Sequence, residues 1–226
     1  MKKELLIIPP FREDFIGRLY NTEGYNVVFS ASPAAEELEK AEVIIGMPKQ
    51  EYFEKAKNLK WVQITSAGND EYIAGAHCFP EGVTLTNLSG AFGRSMSEFA
   101  LMLTLCFYKH LHLYRDNQRK HMWRDEGRQL SPRGRNVLLL GAGNIACETA
   151  ALFKAFDCNI TAIRRTPGCE AVYPFDSFKT TAELDDELKK ADIVICALTD
   201  IDFRLGLFSE SRKFCKRFHC ETTSKM

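Results

Sequence analysis

Residues 137–146 read VLLLGAGNIA, and their order could hold a dinucleotide. An apolar run stops at Gly141, a second glycine follows at Gly143, and a helix-compatible run, CETAALFKAF, begins at Cys147. Strand, tight glycine turn and helix N-terminus are what a pyrophosphate site requires. Gly141 can make the turn. Gly143 has no Cβ, so an anion can approach the backbone. The first N–H groups of the next helix, from Asn144 and Ile145 onward, then face that anion with the positive end of the helix dipole. Ala146 takes the third position of the G-x-G-x-x-A variant, where a methyl group still permits close helix–strand packing.

The next strand is predicted over 159–163, NITAI. An Asp or Glu after it would grip the ribose hydroxyls of NAD. Here the chain has Arg164, Arg165 and Thr166. A guanidinium suits a 2′-phosphate, which it can hold by paired, charge-assisted hydrogen bonds. The expected cofactor is therefore NADP, with NAD as the alternative.

These residues must be carried by a scaffold, and composition bounds it. At 226 residues, 45% hydrophobic and 27% charged, the chain has the make-up of one large or two modest globular domains. Thirty basic residues balance thirty acidic ones, which gives no argument for nucleic acid or an anionic membrane as partner. The longest strongly apolar run, near Phe99–Tyr108, is too short to span a bilayer. The N-terminus, MKKELLIIPP, reads as a first strand and not as a signal peptide. The eight cysteines are scattered without a C-x-x-C pair, which fits a reducing cytoplasm. Cys215, His219 and Cys220 lack a second ligand pair at zinc-site spacing, so no metal is expected.

Ahead of the glycine turn, short apolar runs at 5–8, 26–29, 42–45 and 61–64 alternate with helical segments at 11–20, after Ser32–Pro33, and at 51–56. Ser32 is expected as an N-cap, with Pro33 in the first turn. Strands alternating with helices imply a parallel sheet. SMSE at 95–98 is a candidate capping box, opening one long helix through FALMLTLCFYKHLHLYRDNQRKH. Its first half is apolar almost all round, so it is expected to bury between domains or against a second copy, making a homodimer through 98–114. His110 and His112, two positions apart, do not share a helix face and are expected to be structural. The glycine-turn unit is expected to run strand 137–140, helix 145–156, strand 159–163, helix 181–190 and strand 192–196.

Four blocks, in order, resemble the D-isomer-specific 2-hydroxyacid dehydrogenase family. They are LKWVQITSAGNDEYI (59–73), TNLSGAFGRSMSEFALML (86–103), GRQLSPRGRNVLLLGAGNIACETAALFKAF (127–156) and ADIVICALTDIDFRLGLF (191–208). The similarity runs from about Leu5 to Phe208. It implies an α/β fold with parallel sheets: a flavodoxin-like catalytic domain (1–93) and a Rossmann-type NAD(P)-binding domain (94–226), with substrate in the cleft between them. Carried over by residue, Ser66, Ala67 and Gly68 fall where backbone N–H groups hold the substrate carboxylate. Ala197 and Leu198 fall on the loop beneath the adenosine. The implied reaction is NAD(P)-dependent interconversion of a small 2-keto acid and 2-hydroxy acid by hydride transfer.

The family's carbonyl-binding arginine and its histidine–glutamate pair lie in the second half of the Rossmann domain. After Phe208 this chain reads SESRKFCKRFHCETTSKM, and the expected helix, strand and Gly-Arg-Gly turn do not appear. The returning helix of the catalytic domain does not appear either. Arg212, Arg217 and His219 match no family motif, so no catalytic residue is assigned. The expectation is a truncated or frameshifted member, with an incomplete Rossmann domain after about 208 and no turnover. The alternative function is a non-catalytic remnant that binds nucleotide or dimerises.

Overall fold

The computed structural model describes residues 2–9, 11, 13–73, 79–166 and 172–198. Chain contacts divide it into two compact units, with the boundary between Phe92 and Gly93.

In the first unit the elements are β1 (Lys3–Ile7), α1 (Glu13–Tyr20), β2 (Tyr25–Phe29), α2 (Ala35–Lys40), β3 (Val43–Gly46), α3 (Gln50–Phe53), β4 (Trp61–Ile64), α4 (Asp70–Ile73) and β5 (Thr84–Thr86). The strands form one parallel sheet in the order β2-β1-β3-β4-β5, the doubly wound flavodoxin-like order. A parallel sheet covered on both faces needs apolar residues at successive positions. In β1, Leu6 packs on one face with Leu38, Ile44, Val62 and Tyr72, while Leu5 and Ile7 pack on the other with Val43.

Ser32 and Pro33 precede α2 and do not cap it; its N-cap is Ala34, whose N–H donates to Glu37 Oε2 at 2.8 Å. A carboxylate in the first turn takes the donor that a serine would have taken. β5 has no apolar period and was not legible as a strand: it has three residues, pairs among the described residues with β4 alone, and ends on Thr86.

The second unit contains α5 (Gly93–Tyr108), α6 (Leu111–Arg119), β6 (Asn136–Leu140), α7 (Asn144–Lys154), β7 (Asn159–Ile163), β8 (Ser177–Lys179), a 3-10 turn (Thr181–Glu183), α8 (Leu184–Lys190) and β9 (Ile193–Cys196). Its strands are all parallel, in the order β8-β7-β6-β9. This is the 3-2-1-4 part of the Rossmann order. β6 is buried from Val137 to Leu140: Val137 and Leu139 pack with Ala146, Ala150 and Phe153 of α7, whereas Leu138 and Leu140 pack with Leu184 of α8. Full burial of a side chain such as Phe153 contributes about 1.5–3 kcal/mol.

The expected single long helix is two helices. α5 ends at Tyr108, and His110 adopts a left-handed conformation (φ 54°, ψ 27°) as the N-cap of α6. Its carbonyl accepts the N–H groups of Leu113 and Tyr114, both at 3.0 Å. Histidine is among the side chains that tolerate this region, so the break needs neither glycine nor proline. The SMSE capping box does not form: α5 begins at Gly93, Glu98 instead pairs with Arg94 at 3.2 Å, and the Ser97 hydroxyl donates to the Arg94 carbonyl at 2.8 Å. Burial is also one-sided. Ser97 is buried and Leu101 and Tyr108 pack on the α7 cluster, while Phe99, Met102, Leu103 and Phe107 are exposed. No helix among the described residues is long and apolar enough to cross a membrane.

Candidate nucleotide and carboxylate sites

The glycine turn sits where the strand order of the second sheet reverses, between β6 and β9. Open α/β sheets bind ligands at the carboxyl ends of their strands at such a point. Gly141 follows β6 with φ +107°, and a Cβ there would lie 3.0 Å from the Ala197 carbonyl oxygen and 3.4 Å from Leu198 Cδ2. Glycine is required for both reasons. The Gly141 N–H donates to the Ile163 carbonyl at 3.0 Å, and the Ala197 N–H donates to that of Leu140 at 2.9 Å. The ends of β6, β7 and β9 are thereby tied side by side, which brings Gly141, Gly143, Asn144, Ile145, Ala197 and Leu198 together.

Gly143 is the N-cap of α7 and offers no side-chain acceptor to the first turn. The N–H groups at that helix end have no intrahelical partner. A Cβ built on Gly143 would meet nothing within 4 Å. The glycine is therefore not required by packing, and the space above it suits the close approach of an anion to the backbone. Ala146 is fully buried against the sheet cluster, so a methyl group fits the third position. The residues present thus fit a dinucleotide pyrophosphate.

Arg164 and Arg165 follow β7 directly. The Arg164 N–H donates to the Lys179 carbonyl at 2.9 Å, which continues the β7–β8 ladder. Its guanidinium carbon lies 5.0 Å from the centroid of the Phe178 ring. Arg165 is exposed. Nearby, Lys179 pairs with Glu183 at 2.9 Å. The Thr180 N–H and this lysine hold the Glu183 carboxyl down at about 2.

Two contacts here were not foreseen. One is the Phe178 stack. The other is Gly93, where a Cβ would run into the Asn144 carboxamide and lie 3.1 Å from Glu148 Cγ. The first residue of α5 therefore abuts the first turn of α7, and a larger residue there would have to displace the Asn144 side chain. A glycine heading a long helix is the signal that could have found it.

In the first unit, Ser66, Ala67 and Gly68 form the turn after β4. The carbonyls of all three are engaged. Leu88 N–H donates to Ser66 O at 2.9 Å, Asn87 Nδ2 to Ala67 O at 2.8 Å, and the Ser66 hydroxyl to Gly68 O at 2.6 Å. The N–H groups of Ala67 and Gly68 meet no acceptor among the described residues. A turn with pinned carbonyls and open N–H groups can receive an anion. Cys215, His219 and Cys220, like Arg212 and Arg217, lie outside the described residues.

Known proteins share the sequence and the fold that carry this turn. A family model for the D-isomer specific 2-hydroxyacid dehydrogenase NAD binding domain matches residues 100–212. D-lactate dehydrogenase of Streptococcus pyogenes serotype M1 is 27% identical over 121 residues, 50% of this chain and 34% of that protein. The crystal structure of a D-isomer specific 2-hydroxyacid dehydrogenase family protein from Aeromonas salmonicida subsp. salmonicida A449 is 26% identical with a TM-score of 0.82, over 94% of this chain and 69% of that one. A probable 2-hydroxyacid dehydrogenase from Rhizobium etli CFN 42, solved in complex with NADP, HEPES and L(+)-tartaric acid, shares the fold at 22% identity and a TM-score of 0.66, over 88% of this chain and 62% of that one. The match to the curated relative thus spans about a third of its length. The family model covers half of this chain, along the glycine turn and the sheet that carries it, and the chain belongs to the D-isomer specific 2-hydroxyacid dehydrogenase family.

Proposed function

We propose that this chain binds NADP(H) in preference to NAD(H), the cofactor of an oxidoreductase of the 2-keto acid/2-hydroxy acid type. The observation that carries the reading is the glycine turn at the β6–β9 switch point, with open space over Gly143 and a guanidinium after β7. The N–H groups of Asn144 and Ile145 hold the pyrophosphate. Gly141 turns the backbone away from it, and Ala197 and Leu198 floor the adenosine. Arg164 and Arg165 take the 2′-phosphate, where an acidic side chain would repel it. A fold neighbour was solved with NADP bound, which supports a phosphorylated cofactor. When bound, the nicotinamide supplies hydride. The turn at Ser66, Ala67 and Gly68 receives the substrate carboxylate through its open N–H groups.

We further propose that a polypeptide of these 226 residues binds nucleotide without turning over 2-keto acids. The substrate oxygen gains negative charge as hydride arrives. General acid–base assistance contributes about 10²–10⁴-fold, and donors aimed at the developing charge add a comparable factor. None of the five histidines falls on the family's histidine–glutamate pair, and no arginine falls on its carbonyl-binding motif. The exposed apolar face of α5, with Phe99, Met102, Leu103 and Phe107, is the contact surface of a two-fold dimer.

Calorimetric titration tests the cofactor reading. NADP+ is expected to bind more tightly than NAD+, with the order reversed in Arg164→Asp. Equal affinities in the unsubstituted protein overturn it. Steady-state oxidation of NADPH with glyoxylate or hydroxypyruvate tests the second reading, and sustained turnover by protein ending at Met226 contradicts it.

A further inference from the structure

We propose that Phe178 is a positioning residue for discrimination of the cofactor's 2′-phosphate, acting through Arg164. This rests on the reading of Arg164 as the ligand of that phosphate. The sheet register sets up the pair. Ala162 of β7 lies opposite Phe178 of β8, and Arg164 is two residues past Ala162, so it returns to the same face. The guanidinium carbon is 5.0 Å from the ring centroid, within the range of a cation–π contact. The ring is itself held by Phe175, centroids 5.0 Å apart and planes 46° apart.

What the stack uses and what it leaves open give the contact a functional meaning. A ring face attracts a guanidinium without taking up a hydrogen bond, so the contact consumes none of its five N–H donors as a carboxylate would. No hydrogen bond or ion pair to the Arg164 side chain occurs among the described residues, so those donors stay available for phosphate oxygens. Lys179, the neighbouring cation on β8, is occupied by Glu183 and does not compete. The ring therefore restricts a rotamer-rich side chain to one pose before ligand arrives. Such preorganisation strengthens binding by reducing the ordering that binding requires.

Binding of two fragments, 2′,5′-ADP and 5′-AMP, separates the phosphate-dependent part of affinity from the rest. In Phe178→Leu, the preference for 2′,5′-ADP is expected to fall about two- to fivefold, the range of an exposed cation–π contact. Affinity for 5′-AMP stays unchanged, and Phe178→Tyr, which keeps the ring, retains the preference. In an Arg164→Ala background, Phe178→Leu leaves the ratio where Arg164→Ala alone set it. If Phe178→Leu does not fold, Phe178→Met decides the same ratio. Equal loss of both ligands, an unchanged ratio, or a drop that persists without Arg164 overturns the proposal. An unsubstituted protein with no preference for 2′,5′-ADP instead overturns the reading of Arg164 itself, a result distinct from all three.

Discussion

Replacing Gly141 by alanine separates what the glycine turn does for the fold from what it does for a ligand. The backbone there has φ +107°, and the new Cβ would lie 3.0 Å from Ala197 O and 3.4 Å from Leu198 Cδ2. Holding a non-glycine residue in such a region costs of order 1–3 kcal/mol. The carbonyl cannot move aside cheaply, because the Ala197 N–H is fixed to Leu140 O at 2.9 Å in the same ladder. The expected destabilisation is therefore about 2–4 kcal/mol, a large fraction of a domain's roughly 5–15 kcal/mol. With a urea slope of about 2 kcal/mol/M, the midpoint of the second unit should fall by about 1–2 M. Circular dichroism follows it, with Gly143→Ala as the matched control. At Gly143 a Cβ meets nothing within 4 Å, and the only cost is the poorer N-cap, under about 1 kcal/mol. Equal midpoint shifts in the two variants would refute the strain argument.

Three other outcomes follow from particular contacts. Phe153 is fully buried between α7 and the sheet, so Phe153→Ala should cost about 3–5 kcal/mol in chemical denaturation, and a loss under about 1 kcal/mol would contradict that packing. Glu183 has its carboxyl lowered from 4.5 to about 2 by the Thr180 N–H and Lys179; a group with a depressed folded pKa stabilises the fold above its ordinary value and loses that contribution as pH falls. The thermal midpoint should therefore drop between about pH 4.5 and 2 more steeply in the unsubstituted protein than in Glu183→Gln, and parallel curves would refute the assignment. If the exposed face of α5 joins two copies, Phe99→Glu with Phe107→Glu should convert a dimer to a monomer in light scattering, whereas a monomeric unsubstituted protein contradicts the dimer.

The glycine turn was legible as a strand–turn–helix because its signals are local. A strand buried on both faces reads as an uninterrupted apolar run, and β6 is such a strand. Glycines at fixed spacing then mark the turn, and a buried Ala146 marks helix–strand packing. β5 and β8 were not legible: each has three residues, with Thr, Ser or Lys at the ends and no apolar period. The α5–α6 break was hidden because it rests on the backbone conformation of His110, which no breaker residue announces. The Arg164–Phe178 contact joins the residue that follows β7 to the middle of β8, so it exists only once β7 and β8 are paired. The turn at 66–68 had no local chemistry beyond small residues; its pinned carbonyls depend on Asn87 and Leu88, which follow β5.

The proposed binding mode places a dinucleotide pyrophosphate in the open space over Gly143. Calorimetric titration of NADP+ into Gly143→Ala, beside the unsubstituted protein, tests it most directly. The added methyl meets no protein atom within 4 Å, so the fold is retained, and circular dichroism verifies this in the same samples. The methyl would occupy the space through which the anion approaches the backbone. Affinity is expected to fall at least about tenfold, equivalent to ~1.4 kcal/mol. Unchanged affinity for NADP+ in the folded variant would contradict the claim.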